Sequence, residues 1–114
     1  MKKMIFSGLA VLSLFLGCAS ATYYGRVKVE VIGATAAKKP YGTVECFQSK
    51  EKVTASYDVI ANMSIEGETG DETGVIKAFQ DRAAEIGADA VILDRGNDAA
   101  GKNAINRAEA IHFK

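Results

Sequence analysis

Tryptophan is absent from this 114-residue chain, proline and histidine occur once each (Pro40, His112), and cysteine twice (Cys18, Cys46). One histidine and two cysteines are too few for a zinc centre, which takes three or four ligands of the right type. A single proline excludes a stiff Pro-rich linker. No apolar run reaches the roughly 18 residues expected of a membrane-spanning helix. Neither sign of charge prevails, 14 Lys and Arg standing against 14 Asp and Glu. With no basic cluster either, that balance argues against nucleic acid or an anionic membrane surface as a partner. Gly67, Gly70 and Gly74 are not followed by Gly-Lys-Ser/Thr, so they form no phosphate loop.

What is present at the start is an export signal. Met1-Lys2-Lys3 is a basic opening, and Met4 to Leu16 is an apolar run interrupted by Ser7, Gly8 and Ser13. Small residues follow at Gly17-Cys18-Ala19-Ser20. This is the layout of a secretory signal peptide. Gly17-Cys18 resembles a bacterial lipobox, with Phe15 in the place usually held by Leu. The resemblance implies cleavage between Gly17 and Cys18 and acylation of the Cys18 sulfur by diacylglyceryl, with palmitate-like chains. One chain anchors only marginally and two anchor stably, each buried methylene contributing about 0.8 kcal/mol. An ordinary secretory cut near Ala19 or Ala21, leaving a soluble protein, is the alternative. Ala19 stands where inner-membrane retention usually shows Asp, which points to the outer membrane, with the folded part in the periplasm.

Residues 1–17 are thus expected to be removed, 18–25 to form a lipidated tether, and 26–114 to form one small domain. Loss of Lys2 and Lys3 leaves a formal side-chain charge of −2, from 12 bases against 14 acids. A lipidated Cys18 leaves Cys46 as a lone thiol in an oxidising compartment, whereas an unlipidated Cys18 would be free to bridge to it.

Along the domain, Arg26 to Ile32 alternates apolar with charged residues, as a half-buried strand does. Gly42 to Gln48 alternates too, with Val44 and Cys46 on one face and Glu45 and Phe47 on the other. Tyr57 to Glu66 shows the longest alternation, setting Tyr57, Val59, Ala61, Met63 and Ile65 against a polar face that Ile60 interrupts. Glu66 to Gly74 reads as an acidic, glycine-bearing loop. Val75, Ile76, Phe79, Ala83 and Ile86 recur at helical steps, Asp71 or Thr73 stands ready as a cap, and Gly87 is placed to end the helix. Ala88 to Leu93 suits a strand covered on both faces, and the strand–helix–strand series predicts parallel strands on either side of the helix. Asp94 to Asn106 reads as a loop and Ala108 to Phe113 as a last strand. The expected fold is α+β, a small mixed sheet of four to five strands with one amphipathic helix packed on it.

Val44-Glu45-Cys46-Phe47, Tyr57 to Gly67, Gly87 to Leu93 and Ala108-Glu109-Ala110-Ile111 occur in an order that resembles a broad set of small bacterial envelope lipoproteins. That set is distantly similar to the outer-membrane lipoprotein that senses envelope stress for the Rcs phosphorelay. The sensor carries two disulfides and a long proline-rich linker, and this chain has neither, so the resemblance implies the fold and the address but not the pathway. Gly87-Ala88-Asp89-Ala90-Val91 is also similar to a turn in small cytosolic oligomers, against which the export signal speaks.

No motif for a reaction stands out. Cys46 and His112 are the residues from which an activated nucleophile could be built, yet each lies on a predicted strand, Cys46 as a small core residue and His112 at a rim. Glu66, Glu68, Asp71 and Glu72 do not have the spacing of a calcium loop. Tyr23, Tyr24 and Tyr41 read equally as surface aromatics or as packing. The sequence therefore predicts a non-enzymatic, membrane-anchored envelope lipoprotein without cofactor. It would work as a binding or stress-sensing module with a protein partner in the envelope. The alternatives are a small-ligand or metal-binding oligomer, and a thiol-dependent redox protein using Cys46.

Overall fold

The computed structural model describes residues 23–67, 69–97 and 99–114. The signal segment, the Gly17–Cys18 cleavage and lipidation site, and Glu68 lie outside the described residues. Five strands, β1 (Val27–Val31), β2 (Glu45–Phe47), β3 (Tyr57–Ile65), β4 (Ala90–Asn97) and β5 (Asn103–Phe113), and one long helix, α1 (Glu72–Glu85), follow one another with α1 between β3 and β4. The sheet order is β1-β3-β5-β4-β2. All neighbours are antiparallel except β2 and β4, which are parallel. The fold is the expected α+β arrangement. β3 and β4 run the same way, as the strand–helix–strand reading predicts, but β5 lies between them and bonds to both.

α1 forms because Val75, Ala78, Phe79 and Ala83 fall on one stripe, and that stripe is fully buried against the sheet. Its core partners include Met63 of β3, Val91 and Leu93 of β4, and Ala108 and Ala110 of β5. Alanines at 108 and 110 on the central strand let the helix approach closely under Phe79. Next to Phe79, Gln80 Nε2 donates to the Val44 carbonyl at 2.8 Å, tying α1 to the residue before β2. Gly87 closes the helix with φ +78°, and a Cβ there would lie 2.6 Å from the Ala36 backbone. Both the dihedral and the space therefore demand glycine.

The start of the helix departs from expectation. Asp71 is the N-cap residue, but its side chain makes no capping bond. Its own N–H instead donates to the Tyr23 hydroxyl at 3.1 Å, and Gly74 leaves room for the Tyr23 ring, which a Cβ would approach to 2.9 Å. Tyr23 and Tyr24, which the sequence puts in the tether, pack against the core, and Tyr24 lies under the Arg82 guanidinium.

Two further corrections come from bulges and from a hairpin. The ladder between β3 and β5 shifts at Ile60, so Val59 pairs with Ile111 while Ala61 pairs with Ala110. One extra residue reverses side-chain parity. Ala61, Met63 and Ile65 therefore face the helix, while Tyr57 and Val59 join Phe47, Ala90, Ile92, Ile111 and Phe113 in a second cluster on the opposite face. The single apolar face predicted for Tyr57 to Ile65 is thus two half-faces. The predicted loop from Asp94 to Asn106 is mostly strand. β4 and β5 stay paired out to Asn97 and Asn103, with a second shift beside Arg95. Polar residues there hid the pairing because this end of the hairpin runs past the helix and has little apolar surface to cover.

Candidate functional site

The sheet face away from α1 divides into an apolar and a polar half. Phe47 and Phe113 meet edge to face at 6.3 Å over the apolar half. Two rungs cross the polar half. Lys28, Ser64, Arg107 and Asp94 are aligned in one, and Glu30, Asn62, Glu109 and Ile92 in the next. Strand alternation puts these side chains on one surface, since the residues between them face the helix. Arg107 Nη2 stands 3.2 Å from Asp94 Oδ2, and Lys28 Nζ stands 2.8 Å from Glu66 Oε1.

Where the halves meet lies a cleft of about 610 Å³, floored by Ile92, Asn62 and Glu109 and walled by Arg107 and the turn Ser49–Glu51. That turn is a short 3₁₀ segment, Lys50–Lys52, between β2 and β3. Glu51 bonds to its own backbone and to Ser49, which holds its carboxyl below the ordinary range. The cleft thus offers an amide, carboxylates and a guanidinium around buried apolar residues, of which Ile92, 4 % exposed, lies on the same sheet face as Asn62 and Glu109. Such a set can hydrogen-bond a polar, extended ligand while stacking a small apolar group. None of these residues stood out in the sequence, where each is one more polar position on an alternating strand.

A second constellation closes the base of the sheet. The Asp89 carboxylate accepts from Phe113 N–H at 2.9 Å and from the Lys39 ammonium, and His112 Nδ1 stands 2.8 Å from it. Burial alone would raise the Asp89 carboxyl, but the Lys39 bond, the Phe113 amide and the neighbouring charges outweigh it and hold it below its ordinary value. Asp89 thereby joins three chain segments: the 33–43 loop, the start of β4 and the end of β5. The shallow cleft beside His112 is lined by Gly33, Ala34, Asp58, Val59 and Ile60, a set with no hydroxyl, thiol or amine nucleophile.

Cys46 and His112 are not brought together. Cys46 pairs with Val91, which pairs with Ala110, so His112 lies two strands across and two residues along, roughly 10 Å or more away by strand spacing. Cys46 is half-buried against the helix-side core, and burial pushes its thiol up, towards the protonated and unreactive form. Among the described residues no three His, Cys, Asp or Glu side chains converge as metal ligands, and no helix is long and apolar enough to cross a membrane. Glu66 and Glu72 of the acidic loop point to different cations, Lys28 and Arg95. Tyr41 donates to Glu85 Oε2 at 3.2 Å and is half exposed. Compared with family models, with curated proteins and with solved structures, the chain matches none.

Proposed function

We propose that this chain is a lipid-anchored lipoprotein of the bacterial envelope whose domain acts by contact, holding a protein partner of the envelope on the polar half of its open sheet face. The observation that carries the anchor is the apolar run Met4–Leu16 ending in Gly17-Cys18 behind two lysines. Acylated at Cys18, the domain is held at the outer membrane on the periplasmic side, with the core contacts of Tyr23 and Tyr24 only a few residues along the chain from the lipid. The contact reading is supported by the cleft at Asn62, Arg107 and Glu109, which presents donors and acceptors together on a rigid sheet.

Mass spectrometry of the mature N-terminus tests the anchor: a diacylglyceryl-modified Cys18 is expected, and Cys18→Ala should move the protein into the soluble fraction. A mature chain with a free sulfhydryl at that position, released without detergent, overturns the reading. Crosslinking in intact cells tests the contact. A specific adduct should form with the wild type and fall at least several-fold with Arg107→Glu at unchanged melting temperature. An adduct indifferent to that change removes the cleft from the proposal.

A second reading, a small-ligand binder, is favoured by the size of the cleft, about 610 Å³, which is within the range of small-molecule sites. Binding of a low-molecular-weight envelope extract to the purified protein, lost with Arg107→Glu, would favour it over a protein partner.

A further inference from the structure

β1 is an outer strand. It bonds to β3 on one side, and among the described residues no strand pairs with its other side. Val31 and Ile32, 50 % and 54 % exposed, stand at its end. The direction of its backbone groups follows from one bond. Ile32 donates to the Ile60 carbonyl at 2.9 Å, so the inward groups of the ladder belong to Ile32, Glu30 and Lys28. By alternation, the N–H and C=O groups of Val27, Val29 and Val31 point away from β3, to the side on which no described strand lies; Val27 itself is 5 % exposed, so the accessible part of this edge runs from Val29 to Val31.

These outward groups determine how a second copy can pair. Antiparallel pairing must set Val27, Val29 and Val31 against the same set in the other chain. Centred on Val29, Val27 faces Val31 of the second copy and each Val29 faces the other. All three pairs then exchange both of their backbone bonds. In this register each Lys28 lies directly opposite Glu30 of the second copy, in the closer, non-hydrogen-bonded type of pair. Moving to the neighbouring register that uses the same backbone groups sets Lys28 against Lys28 in one direction, and Glu30 against Glu30 in the other. Charges on an edge strand ordinarily block association. Within β1 they oppose the shifted registers and favour the centred one; Arg26, which would face Glu30 in the first of these, lies in the turn before β1 with its guanidinium on the Glu66 carbonyl. The Lys28 ammonium, with three donors, can keep its bond to Glu66 while meeting the second carboxylate.

We propose that the chain forms a two-fold symmetric homodimer through β1, the two five-stranded sheets joining edge to edge into one continuous sheet. The interface is isologous and therefore closes at two copies. It covers the exposed end of β1 with Val27 of the other chain and brings the two open sheet faces side by side.

The test is sedimentation of the purified full chain in mild detergent over a range of concentrations, with the detergent mass accounted for. The wild type should show a monomer–dimer equilibrium. Glu30→Lys and Lys28→Glu each turn two attractive pairs into two repulsive ones and should weaken the dimer roughly tenfold or more. Mixed one to one, the two variants restore both pairs and should associate as tightly as the wild type. Lys28→Glu also loses the Glu66 partner, so the double exchange K28E/E30K, which likewise restores both pairs, provides an independent rescue. Circular dichroism should show every variant folded, since both side chains are exposed. A wild type that stays monomeric throughout overturns the proposal. So does an assembly larger than two, or a dimer that survives Glu30→Lys undiminished, or a failure of both rescues.

Discussion

Gly87 and Asp89 stand two residues apart and do different work. Gly87 turns the chain from α1 into β4 in a conformation other residues adopt only with strain, against the backbone of Ala36. Gly87→Ala should lower stability by about 2 kcal/mol or more, through left-handed strain and the collision together, read by urea denaturation. Asp89 contributes through charge. Its carboxyl is depressed in the fold, so its contribution is fully present above the ordinary carboxylate range and is lost as pH falls through the folded value. Asp89→Asn should therefore cost about 1.5–3 kcal/mol at neutral pH. Wild type and variant should converge as acid protonates the wild-type group, and a constant gap down to low pH would remove charge as the cause. Cys46, held protonated by burial, should react with a soluble alkylating reagent far more slowly in the folded protein than in urea, which thiol titration reads.

At the scale of elements, α1 was legible because helical periodicity survives any tertiary context that buries one stripe. Phe79 is its largest fully buried side chain, in one core cluster with Ala108 and Ala110, and Phe79→Ala should cost about 3–5 kcal/mol in the same denaturation measurement. β3 was legible as a strand but not as a surface. In sequence its alternation is interrupted at Ile60 alone, which reads as an apolar residue on a polar face. In the sheet Ile60 is an inserted residue that turns the first half of the strand over. Nothing local distinguishes these cases, because a bulge is defined by the residues opposite it, here Ala110 and Ile111. The β4–β5 hairpin beyond Asp94 was missed for a related reason: where a sheet outruns its helix, neither face need be apolar.

For the molecule as a whole, the sheet order sets which parts open first. β5 is central and bonded on both sides, while β1 and β2 are outer strands. Hydrogen exchange should leave the amides of Ala108 to Ile111 the slowest in the protein and those of β2 among the fastest of the strands, read by mass spectrometry after proteolysis. Protection of β1 would rise with protein concentration if its free edge is closed by a second copy. By itself the sequence determined the elements with a strong local period, the glycine that ends α1 and the α+β class, and it carries the basic start, apolar run and Gly-Cys on which the proposed anchor rests. These are properties of neighbours along the chain. Tertiary structure alone decided the strand order, the two bulges, the separation of Cys46 from His112, the gathering of Lys39 and His112 on Asp89, and the cleft at Asn62, Arg107 and Glu109. Each of these depends on which strand lies beside which, a choice made by the burial of Phe79 and its neighbours over the whole sheet and carried by no single stretch of residues.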